Sequence, residues 1–192
     1  MEYFHHAFIF LIRTVFQLAF FLILLRLFFQ FFQVSFHNPF SQFIFKASNP
    51  MLAPFHKVLP RSGKVDLATV LLLILIKAAE LSCLTLLTAK TMPAVAGLIV
   101  WPLGELMAEV INVIFFAIVL VALLSWIAPQ THTPFTVILT QITEPFLSPI
   151  RRRLPAMSID LSPLILLIGL KLLDILLVSP LTLLGKHLSV LH

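Results

Sequence analysis

Charge is what this sequence has least of: Asp, Glu, Lys and Arg make up 11% of its 192 residues, against about 25% in soluble domains. That scarcity excludes a water-soluble fold. Cysteine is limited to Cys83, inside an apolar run, which rules out an intramolecular disulfide framework and leaves packing as its reading. Five glycines form neither a GxGxxG fingerprint nor a phosphate-binding loop, and GxSxG and HExxH are absent. The chain is therefore predicted not to be an enzyme, with no catalytic residue and no cofactor. All seven histidines fall at the ends of apolar runs or between them, so no haem ligand pair lies within a span. His5, His6, His187 and His192 near the termini are read as solvated, not as a metal site.

Hydrophobic residues are abundant, at 60%. Four apolar runs, near residues 3–36, 67–89, 95–128 and 161–186, exceed the ~20 residues that cross a hydrocarbon core. The first and third are overlong, which predicts tilt or exposed ends. A cleaved leader is not expected, because MEYFHHAF has no basic start and the run continues far past a leader's apolar core. These runs predict an all-α membrane protein with four transmembrane helices.

The stretch Asn38–Pro60, NPFSQFIFKASNPMLAPFHKVLP, returns at Thr133–Pro155 as TPFTVILTQITEPFLSPIRRRLP. Pro39, Phe40, Pro50, Pro54 and Pro60 recur as Pro134, Phe135, Pro145, Pro149 and Pro155. Such duplication divides the chain into two tandem repeats, 1–94 and 95–192. Each is a helix, an interfacial amphipathic proline-bounded segment and a second helix.

Within the connectors, Asn38 and Thr133 are placed as N-caps, with Pro39 and Pro134 at the first helical position, where a missing N–H costs nothing. Phe40, Phe43, Ile44 and Ala47 fall at i, i+3, i+4 and i+7, as do Phe135, Ile138, Leu139 and Ile142, so one apolar face is made twice. Ser41, Gln42, Lys46 and Ser48, with Thr136, Thr140, Gln141 and Thr143, are expected on the other, polar side. Pro50 and Pro145 are expected to stop each helix, and Pro54 and Pro149 to keep it from re-forming. An interfacial helix is preferred over a re-entrant loop, because the cations that follow resist deep burial.

The formal net charge is +5, and its location matters more than its size. Lys46, Lys57, Arg61 and Lys64 lie in the first connector, and Arg151, Arg152 and Arg153 in the second. This placement suits an anionic leaflet surface and not nucleic acid. The positive-inside rule puts both connectors on the cytoplasmic side and both termini opposite.

The charges inside the runs are Arg13, Arg26, Lys77 and Lys171 against Glu80, Glu105, Glu109 and Asp174. Lys77 with Glu80, and Lys171 with Asp174, repeat a cation followed three residues later by an anion on one helix face. Each lysine lies about 16 Å of helix beyond Asp66 or Asp160, near the middle of a ~30 Å core. A lone central charge costs about 2.5–3.5 kcal/mol on insertion scales, so this balanced set requires mutual partners or a wet cavity. Two arrangements satisfy it: a closed ion-pair network between helices, or a proton or cation relay through Glu80, Glu105, Glu109 and Asp174. Arg26, late in the first run, needs an acidic partner or a snorkelling path to the interface.

The doubled NPF, NPxLxP and LP pattern ahead of VDLA, with EPxLxPIRRxLP and IDLSP in residues 144–163, resembles the YggT family, also called YlmG, over nearly the whole chain. Arg26 fits the family habit of an arginine late in the first span; Thr133, where the first copy has Asn38, is a departure between the copies. The resemblance implies an integral protein of bacterial inner membranes and plastids with two tandem repeats. It implies links to osmotic or salt stress, to cell division and envelope organisation, and to cytochrome b/f assembly in chloroplasts, with no agreed catalytic site. The expected function is a non-enzymatic inner-membrane scaffold or assembly and stress-tolerance factor. Its expected partners are anionic membrane lipids and either a membrane protein or a second copy. The alternative is a small ion- or proton-coupled transporter or channel with a path at the repeat interface.

Overall fold

A computed structural model describes residues 2–59, 63, 65–89, 92–127, 133–154 and 160–190. Every element among them is helical: α1 (Glu2–Phe31), α2 (Pro39–His56), α3 (Leu67–Ala89), α4 (Val95–Ile127), α5 (Pro134–Arg151), α6 (Ser162–Leu173), a π-helical turn (Asp174–Val178) and α7 (Ser179–Val190). Pro60, Arg61, Lys64 and Pro155 lie outside the described residues. Tyr3–Phe31, Leu67–Thr88, Val95–Ser125 and Ser162–Ser189 are long and apolar enough to cross a membrane. The protein is an all-α membrane protein with four such spans.

The spans pack in series, α1 on α3, α3 on α4 and α4 on α7, and α1 and α4 do not pack closely against each other. Helices in lipid gain no hydrophobic drive from meeting, so close approach depends on small residues. The α4–α7 contact, the most extensive in the protein, is made that way. A Cβ at Gly185 would lie 2.5 Å from the Trp101 Cα, one at Gly104 would lie 2.7 Å from the Thr182 methyl, and Gly97 meets Ser189 just as closely. The two backbones touch along successive turns.

Both connector helices run through the prolines expected to end them, each for 18 residues. Pro50, Pro54, Pro145 and Pro149 are all exposed. A proline removes the bond to the carbonyl four residues back, so the freed carbonyls are those of Lys46, Pro50, Gln141 and Pro145. These lie on the same i, i+4 row as the prolines, away from the packed face, which keeps its helical bonds. The interruption expected from proline is thereby confined to the outer side.

The packed face follows the apolar spacing in α5, where Ile138, Leu139 and Ile142 are buried, and departs from it in α2, where Ile44 alone of the predicted four is buried. Ser41, Ile44, Ser48 and Leu52 are buried in α2, and Leu139, Thr143 and Leu147 repeat the last three offsets in α5. Phe40, Phe43 and Phe135 remain exposed. Hydroxyls are admitted to the packed side because each bonds the carbonyl one turn back: Ser48 Oγ donates to the Ile44 carbonyl (2.6 Å) and Thr143 Oγ1 to that of Leu139 (2.9 Å).

α1 ends in a Schellman turn. Gln33 takes the left-handed conformation (φ 53°), and the Val34 N–H reaches the Phe29 carbonyl at 2.8 Å. Gln141 of α5 then donates to the carbonyls of Phe32 (2.9 Å) and Gln33 (3.1 Å). As predicted, Asn38 caps α2, its Oδ1 accepting the Phe40 N–H at 2.9 Å, and its Nδ2 donates to the Pro134 carbonyl at 2.6 Å. The Phe40 and Phe135 rings lie 5.6 Å apart. Both connectors therefore sit at one end of the bundle and are joined there.

The last span is not a uniform α-helix. Pro180 has no N–H to give and its ring crowds the Leu176 carbonyl, so the preceding turn widens, with the Ser179 N–H reaching the Asp174 carbonyl.

Candidate functional site

Two cavities occupy the gap left between α1 and α4. The polar one, of about 460 Å³, lies toward the end of the bundle remote from the connectors. α1 contributes Arg13 and Gln17 to it, α3 Lys77 and Glu80, α4 Trp101, Glu105 and Glu109, and α7 Lys186. The second, of about 480 Å³, lies at the connector end and is apolar, lined by Phe21, Leu25, Phe40, Phe135 and Ile142 among others. Glu109 lines both.

Lys77 Nζ lies 3.2 Å from Glu80 Oε2, with both side chains buried. It also lies 4.7 Å from the Phe20 ring centroid, a contact that favours a cation over a π face. The ammonium is close enough for Coulomb attraction but not aligned for a hydrogen bond, and Glu80 Oε2 has no hydrogen-bond donor. On the facing wall Trp101 Nε1 donates to Glu105 Oε1 at 3.0 Å, and Lys186 Nζ lies 5.5 Å from the Trp101 ring. Among the described residues, none of Arg13, Lys186, Glu105 and Glu109 has an opposite charge within 4.0 Å.

The intramembrane charges predicted from sequence are thus not all brought together. Arg13, Lys77, Glu80, Glu105 and Glu109 share the polar cavity; Lys186, which lies near the chain end, joins them unpredicted. Lys171 and Asp174 form their own ion pair at 3.1 Å on the outside of the bundle, where the Lys171 side chain is 59% exposed. The two repeat-related pairs share their i, i+3 spacing and differ in burial, because α3 is packed between α1 and α4 whereas α6 is an outer helix.

Arg26 stands apart from both. Its guanidinium does not snorkel: the residue is 1% exposed, and Nη1 donates to Asn49 Oδ1 (2.7 Å), Ser48 Oγ (2.9 Å) and the Phe45 carbonyl (3.4 Å). The connector helix supplies these acceptors, and the Phe45 ring lies 5.1 Å from the guanidinium carbon.

Of the basic connector residues, Lys46, Lys57, Arg152 and Arg153 are exposed. Arg151 is only partly available to a lipid surface, because it bonds Asp160 (2.7 Å) and Glu144 (2.9 Å). Burial lowers and these two carboxylates raise the Arg151 pKa, and the carboxylates prevail. Burial likewise disfavours the Asp160 carboxylate, but hydrogen bonds from Ser162 and Arg151 hold its pKa below the usual carboxylate value. In the first half His56 takes the place of Arg151, bonding Asp66 at 2.7 Å. That pair was not singled out from the sequence. Its signal was the alignment of His56 with Arg151 and of Asp66 with Asp160 across the duplication. Among the described residues no three His, Cys, Asp or Glu side chains are grouped to hold a metal ion.

Comparison with known proteins gives a family and no function. The family described as CCB3/YggT matches residues 5–87 and 100–181. The chain is similar to an uncharacterized Pseudomonas aeruginosa protein, 33% identical over 175 residues, which is 90% of this chain and 89% of that protein. It is similar to the uncharacterized protein YggT of Escherichia coli K12, 36% identical over 169 residues and 86% of each chain. A Vibrio alginolyticus protein is 36% identical over 164 residues, 84% of this chain and 88% of its own length. No solved structure matches significantly.

Proposed function

We propose, for a chain that belongs to the CCB3/YggT family, the role of a non-enzymatic scaffold or assembly factor of the bacterial inner membrane, of the kind that supports stress tolerance. The observation that carries this reading is the exposed Lys171–Asp174 pair. It lies about 14 Å of helix beyond Ser162, near the middle of the core, where charges face a bundle interior or water and not lipid. The span that bears it is the least buried of the four. A neighbouring transmembrane helix, from another membrane protein or a second copy, would cover it. The exposed Lys46, Lys57, Arg152 and Arg153 support contact of the connector end with the anionic cytoplasmic leaflet, with both termini opposite.

The test is site-specific photocrosslinking from Leu172 in intact membranes. The expected result is one dominant adduct that is lost when Lys171→Leu and Asp174→Leu are combined; labelling of lipid alone would overturn the reading.

A second reading, an ion- or proton-coupled transporter, is favoured by the polar cavity. It requires flux across vesicles that falls with Glu80→Gln; flux equal to that of empty vesicles would dismiss it.

A further inference from the structure

The polar cavity contains an imbalance of contacts, though not of charge. Three cations and three carboxylates line it, yet only Lys77 and Glu80 are within ion-pair distance of each other. The cations Arg13 and Lys186 and the carboxylates Glu105 and Glu109 share a space without touching. Charges near the hydrocarbon core require partners or solvent. Here the protein supplies the compensating sign but leaves a gap between the groups.

The gap has a chemical preference. Glu80 is 7% exposed, lines the cavity and has one carboxylate oxygen without a hydrogen-bond donor. The neighbouring hydroxyls do not serve it: Thr85 Oγ1 donates to the Leu81 carbonyl and Thr88 Oγ1 to that of Leu84. The Trp101 N–H is committed to Glu105. Glu80 Oε2 has the Lys77 ammonium at 3.2 Å and no aligned hydrogen bond. What Arg13 and Lys186 lack is an anion within reach.

We propose that this cavity is a binding site for a zwitterion carrying a protonated primary amine and a phosphate or carboxylate. The ammonium meets Glu80, with Glu105 and Glu109 facing it across the cavity, and the anion meets Arg13 and Lys186. A primary ammonium has three N–H donors and can satisfy more than one carboxylate; a quaternary ammonium has none. At about 460 Å³ the cavity falls in the ordinary range of small-ligand sites, roughly 300–1,000 Å³. The same chemistry comes from two sources, the headgroup of an ethanolamine phospholipid or a small soluble zwitterion. The site stands independently of the scaffold reading, because it uses none of α6.

The full chain in phosphatidylcholine nanodiscs gives the test, since the choline headgroup has no N–H to donate. One arm adds phosphatidylethanolamine and another soluble phosphoethanolamine, with bound ligand counted by native mass spectrometry. Retention of the amine in either arm is expected, lowered roughly tenfold by Glu80→Gln, as the loss of one charge-assisted contact implies, and unchanged by Gln42→Ala. Retention in the lipid arm alone assigns a headgroup, and retention in the soluble arm assigns a free zwitterion. Equal retention of ethanolamine and choline lipids with no uptake of phosphoethanolamine overturns the proposal, as does undiminished binding by Glu80→Gln. If Glu80→Gln loses helicity, Glu109→Gln probes the same cavity with Glu80 intact: weakened binding is expected, and undiminished binding overturns the proposal.

Discussion

His56 Nε2 lies 2.7 Å from Asp66 Oδ2, joining the last residue of α2 to the residue that opens α3. Asp66 also accepts the Ala68 N–H (3.1 Å) and the Thr69 hydroxyl (2.8 Å), so one buried carboxylate caps a span and holds the preceding connector. Arg151 and Asp160 do the same work in the second half, in a more exposed setting.

This clasp has a pH signature. Burial disfavours the Asp66 carboxylate, but bonds from His56 and Thr69, the charge of His56 and the Ala68 N–H outweigh it and lower its pKa from 3.8. A carboxylate depressed on folding adds stability that is fully present above its unfolded value and is lost as pH falls through the folded one. Thermal unfolding of the detergent-solubilised chain should show a loss of this group's contribution as pH falls below about 3.8. Asp66→Asn should remove that acid limb and destabilise the protein by about 1–3 kcal/mol at pH 7.

At the end of α1, Gln33 occupies a left-handed conformation that glycine adopts without penalty. Gln33→Gly should stabilise by about 1 kcal/mol, a rise of roughly 2–4 °C in Tm for a chain of this size. Its backbone carbonyl still accepts from Gln141, so the gain is not offset by a lost contact. A fall in Tm would refute the assignment of strain.

Gly185 and Gly169 lie on the same span and should respond oppositely to alanine. A Cβ at Gly185 meets the Trp101 backbone, whereas one at Gly169 meets nothing within 4 Å. Gly185→Ala should separate α4 from α7 and cost about 1–3 kcal/mol; Gly169→Ala should gain up to about 1 kcal/mol from helix propensity. Equal effects on unfolding would show that the α4–α7 approach is not set by glycine.

Asn38→Ser separates two functions of one side chain. Serine keeps the N-cap of α2 but cannot give the amide donor that now reaches Pro134. A loss of about 0.5–1.5 kcal/mol is expected, with helicity unchanged. Asn38→Thr, which copies the second half, should behave alike.

The spans were legible because lipid imposes a length and forbids unpaired charge, and 11% charged residues leave few places for breaks. The caps at Asn38 and Thr133 were legible because side-chain oxygen before proline has one local geometry. The packed face was legible in α5, where Ile138, Leu139 and Ile142 are buried as their spacing predicted, and not in α2. At a membrane interface Phe43 can face outward, and a hydroxyl such as that of Ser48 or Thr143 can turn inward by bonding its own helix, so hydropathy loses its direction there. The prolines misled for a related reason, since their effect depends on which side of the helix they occupy. The charged residues of the site were visible one by one, but which of them meet depends on helix rotation and on the Gly97, Gly104 and Gly185 contacts. Lys171 and Lys77 have matching neighbours in sequence and opposite surroundings in the fold.

The bonds from Gln141 to Phe32 and Gln33 span 109 and 108 residues. At a synthesis rate of about 5–20 residues per second, the carbonyls at the end of the first span wait roughly 5–20 s on the ribosome for their donor. The turn that ends α1 closes on its own backbone bonds, but the Phe32 and Gln33 carbonyls gain the Gln141 donor only once the second connector is made. Assembly of this protein has a clock: a nascent chain arrested before Gln141 carries an unfinished first half, however much of its membrane-spanning sequence is already in place.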